Sequence, residues 1–173
     1  MDLNEFRAAA AILLGSEANE IRRQYIQSFV DTTTSYYRER IAVTRAFRDG
    51  QCYVGYLWDS LKHSRLVDEE EAIKELARMA KPLYALWDIH SNERIYIKDY
   101  WKFPKDAVLI LGVKELIAGM RFLPEDIYVF DDSFDWSIVF THEYYGDQQR
   151  DCRIATSEAR RGSCAALRSG AKR

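Results

Sequence analysis

LPEDIYVFDDSFDWSIVFTHE, residues 123–143, is the stretch whose reading decides the fold. Two runs rich in β-branched and aromatic residues, 127–130 and 136–141, flank a polar cluster of Asp131, Asp132, Ser133 and Asp135. Such runs fit a pleated, half-buried surface. Asp and Ser turn the chain between them, because their side chains bond nearby backbone N–H groups. The stretch predicts a β-hairpin. Its second strand ends on Thr141-His142-Glu143, the densest group of chemically capable side chains in the chain.

Working outward, 83–89 (LYALWDI) reads as a buried strand ending on Asp88, His90, Ser91 and Asn92. Residues 94–97 read as a short return strand or an ordered loop. A strand over 107–111 runs through Gly112 into a helix at 113–120, stopped by Pro124, and 151–156 supplies a last strand opposite 136–141. Upstream the pattern is helical. Residues 1–15 hold a short helical segment, and Ser16 is placed to cap a long amphipathic helix over 17–48. Ile21, Tyr25, Phe29, Tyr36, Val43 and Phe47 form its apolar stripe, Arg22 lies on its polar face, and Asp49-Gly50 ends it. The threonine run at 31–35 is its weak point. Residues 52–62 read as a further helix. Asp68 with Glu71 three residues later opens another, which Pro82 stops.

Helices first and strands afterwards favour α+β over an alternating parallel sheet. The expected architecture is a mostly antiparallel sheet of about four or five strands with helices over one face. It divides into a helical element at 1–50, a core at 51–156 and a basic tail at 157–173.

An apolar fraction of 47% is ample for a packed core. No apolar run approaches the roughly 20 residues that span a bilayer, and nothing at the start reads as a secretory signal. The expectation is a cytoplasmic protein. The odd set Cys52, Cys152 and Cys164, without CxxC spacing, fits reduced thiols. The net charge of −2 is uneven. Residues 156–173 carry Arg160, Arg161, Arg168, Lys172 and Arg173 against Glu158, which leaves 20 basic and 26 acidic groups elsewhere, a charge of −6. An acidic body disfavours nonspecific nucleic-acid binding and suits a basic partner.

Two clusters carry chemistry. Residues i and i+2 of a strand share a face, so Asp88 and His90 can act together. His142 and Glu143 pair an imidazole with a carboxylate, although neighbours within a strand point to opposite faces. If the strand ends coincide, Asp88, His90, His142 and Glu143 form a hydrolytic or metal site. HExxH is excluded, since Gly146 stands where the second histidine belongs. Asp126, Asp131, Asp132 and Asp135 lack the alternate-ligand pattern of a Ca²⁺ loop and suit a turn. Cys152 needs a thiolate-stabilising neighbour to be a nucleophile, and His142 across the ladder is the candidate. Tyr96, Tyr100, Trp101 and Phe103, interleaved with Arg94, Lys98, Lys102 and Lys105, form an aromatic-basic segment. No GxGxxG, Walker loop or GxSxG is present, and no cofactor is expected.

WDIHS (87–91) together with 123–143 resembles a group of small bacterial proteins that look like immunity proteins paired with secreted toxins. The pattern is a Trp-Asp strand end, then PxDxYxFD and W-[ST]-x-x-x-T-H-E. The resemblance covers roughly 52–155 and implies no catalytic residues. With the acidic body it sets the expectation of a non-enzymatic binding protein that neutralises a basic toxin domain. Asp131, Asp132, Asp135, Tyr100 and Trp101 are the expected contacts. The alternatives are a hydrolase or nuclease-like enzyme at the Asp/His/Glu site, with or without metal, and a phage-associated or regulatory module that self-associates through the long helix.

Overall fold

The computed structural model describes residues 1–90, 100–145 and 149–157. In chain order the elements are α1 (Leu3–Ala9), β1 (Ala11–Leu13), α2 (Gly15–Phe29), α3 (Ser35–Arg40), β2 (Arg45–Phe47), β3 (Gly50–Cys52), a 3-10 turn (Leu57–Ser60) and β4 (Ser64–Asp68). They continue with α4 (Glu69–Leu76), β5 (Leu83–Trp87), β6 (Val108–Leu111), α5 (Val113–Gly119), a second 3-10 turn (Met120–Phe122), β7 (Ile127–Phe130), β8 (Trp136–Tyr145) and β9 (Gln149–Thr156). The class is α+β. Seven strands make one sheet, ordered β1-β6-β5-β7-β8-β9-β4, and every pairing in it is antiparallel. That is more strands than the four or five expected. The additions are the two edges, β1 and β4.

The 123–143 hairpin forms as its residues dictate. Tyr128 faces Val139 across the ladder, and Phe130 faces Ser137. In the turn, Asp131 Oδ1 accepts from Ser133 N and Ser133 Oγ, and Asp131 Oδ2 accepts from Trp136 Nε1. β9 pairs with β8 as its position in the sequence suggested.

Alternation along the strands gives the sheet two apolar faces, and both are covered. On one face Trp87, Leu109, Ile127, Val129, Ile138 and Phe140 pack under Phe6 of α1, Ala72 and Leu76 of α4 and Leu116 of α5. On the other, Leu86, Val108, Tyr128, Phe130 and Val139 meet Ala18, Tyr25 and Phe29 of α2, with Tyr53, Leu57 and Trp58 from the segment beyond β3. Each large apolar side chain removed from water here contributes about 1.5–3 kcal/mol. Helices over one face alone were expected; the outcome is three layers.

The long helix over 17–48 is not present. α2 stops at Phe29, and Asp31 Oδ1 then accepts from Thr33 N (2.9 Å) and Thr33 Oγ1 (2.6 Å). Thr34 Oγ1 accepts from Tyr37 N and opens the separate α3. The predicted weak point is therefore a full break. Beyond it, 45–52 is a hairpin that turns at Arg48-Asp49, and Gly50, at φ +113°, opens its second strand. The stripe of α2 packs on its own sheet. Arg22 is buried rather than on a polar face; it donates to Trp87 O (2.7 Å) and Ala107 O (3.3 Å). Ser16 is not a cap either, because α2 begins at Gly15 with Leu14 before it. Residues 52–62 form the 3-10 turn and loops instead of a helix. α4 opens as predicted, with Asp68 Oδ1 accepting from Glu71 N (2.7 Å), and it ends at Leu76, ahead of Pro82. The expected strand at 94–97, the tail beyond 157 and Cys164 lie outside the described residues. Among those residues no helix is long and apolar enough to cross a membrane.

Candidate functional site

β5 ends, β7 begins and the ladder of β8 breaks at one end of the sheet. Asp88 follows Trp87 there. It is buried and closed on all sides: Oδ1 accepts from Tyr53 OH (2.7 Å) and Leu57 N (3.2 Å), and Oδ2 from Tyr128 OH (2.6 Å). Burial raises its pKa to about 7, against the lowering effect of those three donors and with a further push from Asp126. His90, two residues on, is also buried. Its Nε2 meets Gly55 O, and its ring lies edge-on to Tyr53 (5.6 Å) and Tyr56 (4.5 Å).

His142 reaches the same end through an irregularity of β8. Phe140 pairs with Cys152 and Tyr144 with Arg150, so Thr141, His142 and Glu143 together face the single Asp151. Such a bulge re-aims side chains. Thr141 Oγ1 holds it by donating to Asp151 O (2.8 Å) and accepting from Glu143 N (3.3 Å). Arg150 Nε braces it on Thr141 O (2.6 Å).

Asp126, just before β7, receives the result. Its Oδ1 accepts from His142 N (3.0 Å), His142 Nδ1 (2.9 Å) and Trp58 Nε1 (3.3 Å). A carboxylate facing Nδ1 fixes the proton on that nitrogen and leaves Nε2 as the acceptor of the neutral ring. The His142 side chain is 36% exposed while Asp126 is 4% exposed, so the pair has a buried orienting acid and an accessible base. Tyr56 stands between the two histidines, 4.9 Å from His142, and stacks on Trp58 at 5.4 Å. The Arg153 guanidinium lies 5.2 Å from the centre of the Trp58 ring.

The structure thus brings Asp88, His90 and His142 to one corner, with Tyr56 between the histidines. Glu143 does not join them and is exposed. Among the described residues no group of three or more His, Cys, Asp or Glu side chains is placed to hold a metal ion. Cys152 is no partner for His142. It pairs with Phe140 in the apolar layer on the α4 side, and burial pushes its thiol up to about 12. Cys52 is a buried, free thiol.

The expected docking residues divide. Asp131 is buried and caps its own turn, whereas Asp132 is exposed and pairs with Lys81 at 2.8 Å. Asp135 is partly exposed. Tyr100 and Trp101 are half-buried and edge-on to each other at 4.9 Å, with Trp101 packed against the core. Phe103 is buried and Lys105 is paired with Asp49, so the described part of the aromatic-basic segment faces inward. Tyr96, Arg94 and Lys98 lie outside the described residues.

The residues missed at the sequence level are Tyr53, Tyr56, Trp58, Tyr128 and Arg153. Asp126 was noticed only among the turn acids. A signal for Asp126 does exist, because it immediately precedes a strand whose partner ends on a histidine. Comparison with protein families, curated proteins and solved structures gave no match.

Proposed function

We propose that the chain is a non-enzymatic binding protein, an immunity- or antitoxin-like protein that neutralises a basic toxin domain. One observation carries the reading: apart from His142, the groups most suited to chemistry are held in internal bonds. Asp88 is filled by three donors, His90 is closed against Gly55, and the Cys152 thiol is buried. Asp135 and Glu143 remain for a basic surface, Asp132 is exposed and would exchange Lys81 for a partner's cation, and Tyr144, 58% exposed, is an aromatic anchor. The test is capture of a partner from native lysate at low and high salt by the intact protein and by an Asp132→Lys/Asp135→Lys chain. Asp131 stays unaltered because its loss would open the turn. A stoichiometric basic protein, released by salt and by the double reversal, is the expected result. Capture indifferent to the reversal removes the acidic turn from the interface.

The His142–Asp126 pair favours a second reading, a hydrolase or nuclease-like activity with His142 as general base. His142→Ala should leave partner binding within about tenfold under the first reading. Hydrolysis of a nucleic-acid or ester substrate that disappears in this variant would favour the second.

A further inference from the structure

Away from the histidine corner, ten consecutive residues, 42–51, are all exposed between the buried Ile41 and Cys52. They carry the β2–β3 ribbon, which is separate from the main sheet. A two-stranded ribbon is marginal in water by itself. This one is tied down at its turn, where Lys105 Nζ donates to Asp49 Oδ1 at 3.0 Å with the lysine 7% exposed. Arg45 and Arg48 on the ribbon are exposed, and so is Arg40 at the end of α3, whose carbonyl accepts from Val54 N and Gly55 N just past β3. No side-chain hydrogen bond or ion pair engages any of the three among the described residues. No acid lies between Arg40 and Arg48 in the sequence, and Asp49 is paired. Phe47 is 38% exposed, and Gly50, its neighbour across the ladder, has no side chain to cover the ring.

We propose that this face binds single-stranded nucleic acid, with Arg40, Arg45 and Arg48 along the phosphates and Phe47 stacked on a base. Guanidinium groups match phosphate oxygens in pairs, and an open aromatic face accepts any base. The pinned turn and its charged tip argue against two other anionic partners, duplex DNA and a bilayer. A ribbon that reads duplex DNA must enter the major groove, which a ribbon held against its own body does not do. A hairpin that enters a bilayer needs an apolar tip, and this tip is Arg48-Asp49. The acidic remainder of the chain does not cancel the patch, because charges beyond about 8 Å are screened at physiological salt.

The experiment is fluorescence anisotropy of the full chain with labelled oligo-uridylate and oligo-deoxythymidylate, from about 50 to about 200 mM salt. Affinity should fall with salt along a log–log slope of up to about −2.1, from three phosphate contacts at about −0.7 each. Arg45→Glu/Arg48→Glu should cut that slope to about a third and weaken binding at least tenfold. Phe47→Ala should weaken it about five- to 100-fold. The altered residues are exposed, and unchanged near-ultraviolet circular dichroism checks that both variants keep the fold. Equal binding of the two oligonucleotides assigns the contact to the shared backbone, and a preference for the ribo form adds the 2′-hydroxyl; both support the proposal. It is overturned by absence of binding at low salt, by binding that the double reversal leaves intact, by a preference for duplex, or by capture of phosphatidylserine vesicles in place of either oligonucleotide. Failure here leaves the basic-partner reading standing, because the ribbon variants do not touch Asp132 or Asp135.

Discussion

Asp88 sits in surroundings that oppose its own charge. Burial raises its pKa from 3.8 to about 7 despite two tyrosine hydroxyls and a backbone N–H. The folded state therefore holds the proton more tightly than the unfolded chain. The resulting stabilisation is complete below about pH 4, drains as the pH rises towards 7, and is absent above it. Its size is on the order of 4 kcal/mol. Other carboxylates shift the opposite way, among them Asp131 and Asp31. Their contributions are common to wild type and Asp88→Asn and cancel in the comparison. The stability difference between the two chains, from urea unfolding at pH 4.5 and 7.5, should move in favour of the Asn chain as the pH rises; a difference independent of pH would show Asp88 to be an ordinary acid. The sequence offered Asp88, His90 and His142 as one group, which the structure does bring to one corner, but it put Glu143 with them and left Asp126 out. Asp126 completes the pair with His142 only because β7 and β8 run antiparallel with Ile127 opposite Phe140. Tyr53 and Tyr128 close on Asp88 from separate elements, a closure that residue type alone does not announce.

Elements joined by a single close approach are the next scale. α1 meets α5 at Gly119, where an added Cβ would lie 2.2 Å from the Phe6 ring. Phe6 is fully buried, so the ring cannot swing into solvent. Gly119→Ala should cost about 1–3 kcal/mol, read as a lower urea midpoint with an unchanged slope. The bulge of β8 rests on Thr141, whose hydroxyl serves both Asp151 O and Glu143 N. Thr141→Val keeps the shape and removes those bonds, at a cost of about 1–3 kcal/mol. The same change should shift the His142 ring resonances, whereas unshifted resonances would mean that the bulge is held by other contacts. Legibility at this scale followed length and local chemistry. β5, β6, β7, β8, β9, α4 and α5 were readable because each is a clear run with its own stop signals. β1 is three residues long and owes its strand state to β6. The false helix over 17–48 came from apolar spacings that happened to continue through 31–34. There the Asp31–Thr33 bonds offer the backbone an alternative to the helix, and Val43 and Phe47 end up exposed.

Across the whole molecule, the division at residue 50 separates sequence patterns, while the packing crosses it. Phe6, Tyr25 and Phe29 are fully buried, and they lie against strands drawn from 83–140. Periodicity could show that α2 has an apolar stripe. It could not show that the stripe covers a second face of the same sheet, since the order of elements along a chain says nothing about sides. At about 1.5–3 kcal/mol each, these three side chains alone contribute about 5–9 kcal/mol. A domain's net stability is about 5–15 kcal/mol, so the two quantities are comparable. A chain beginning at residue 51 loses all three together with β1, and it exposes Leu86, Val108, Tyr128, Phe130 and Val139. Such a fragment should lose its near-ultraviolet circular dichroism and bind a hydrophobic dye. The intact chain should unfold in urea with coincident far- and near-ultraviolet transitions. A fragment from 51 onward that unfolds cooperatively, with the midpoint of the intact chain, would make residues 1–50 a separable element. In that case the ribbon with Arg45 and Arg48 would belong to a detachable arm, whereas loss of the fold ties the ribbon and the histidine corner to one cooperative unit.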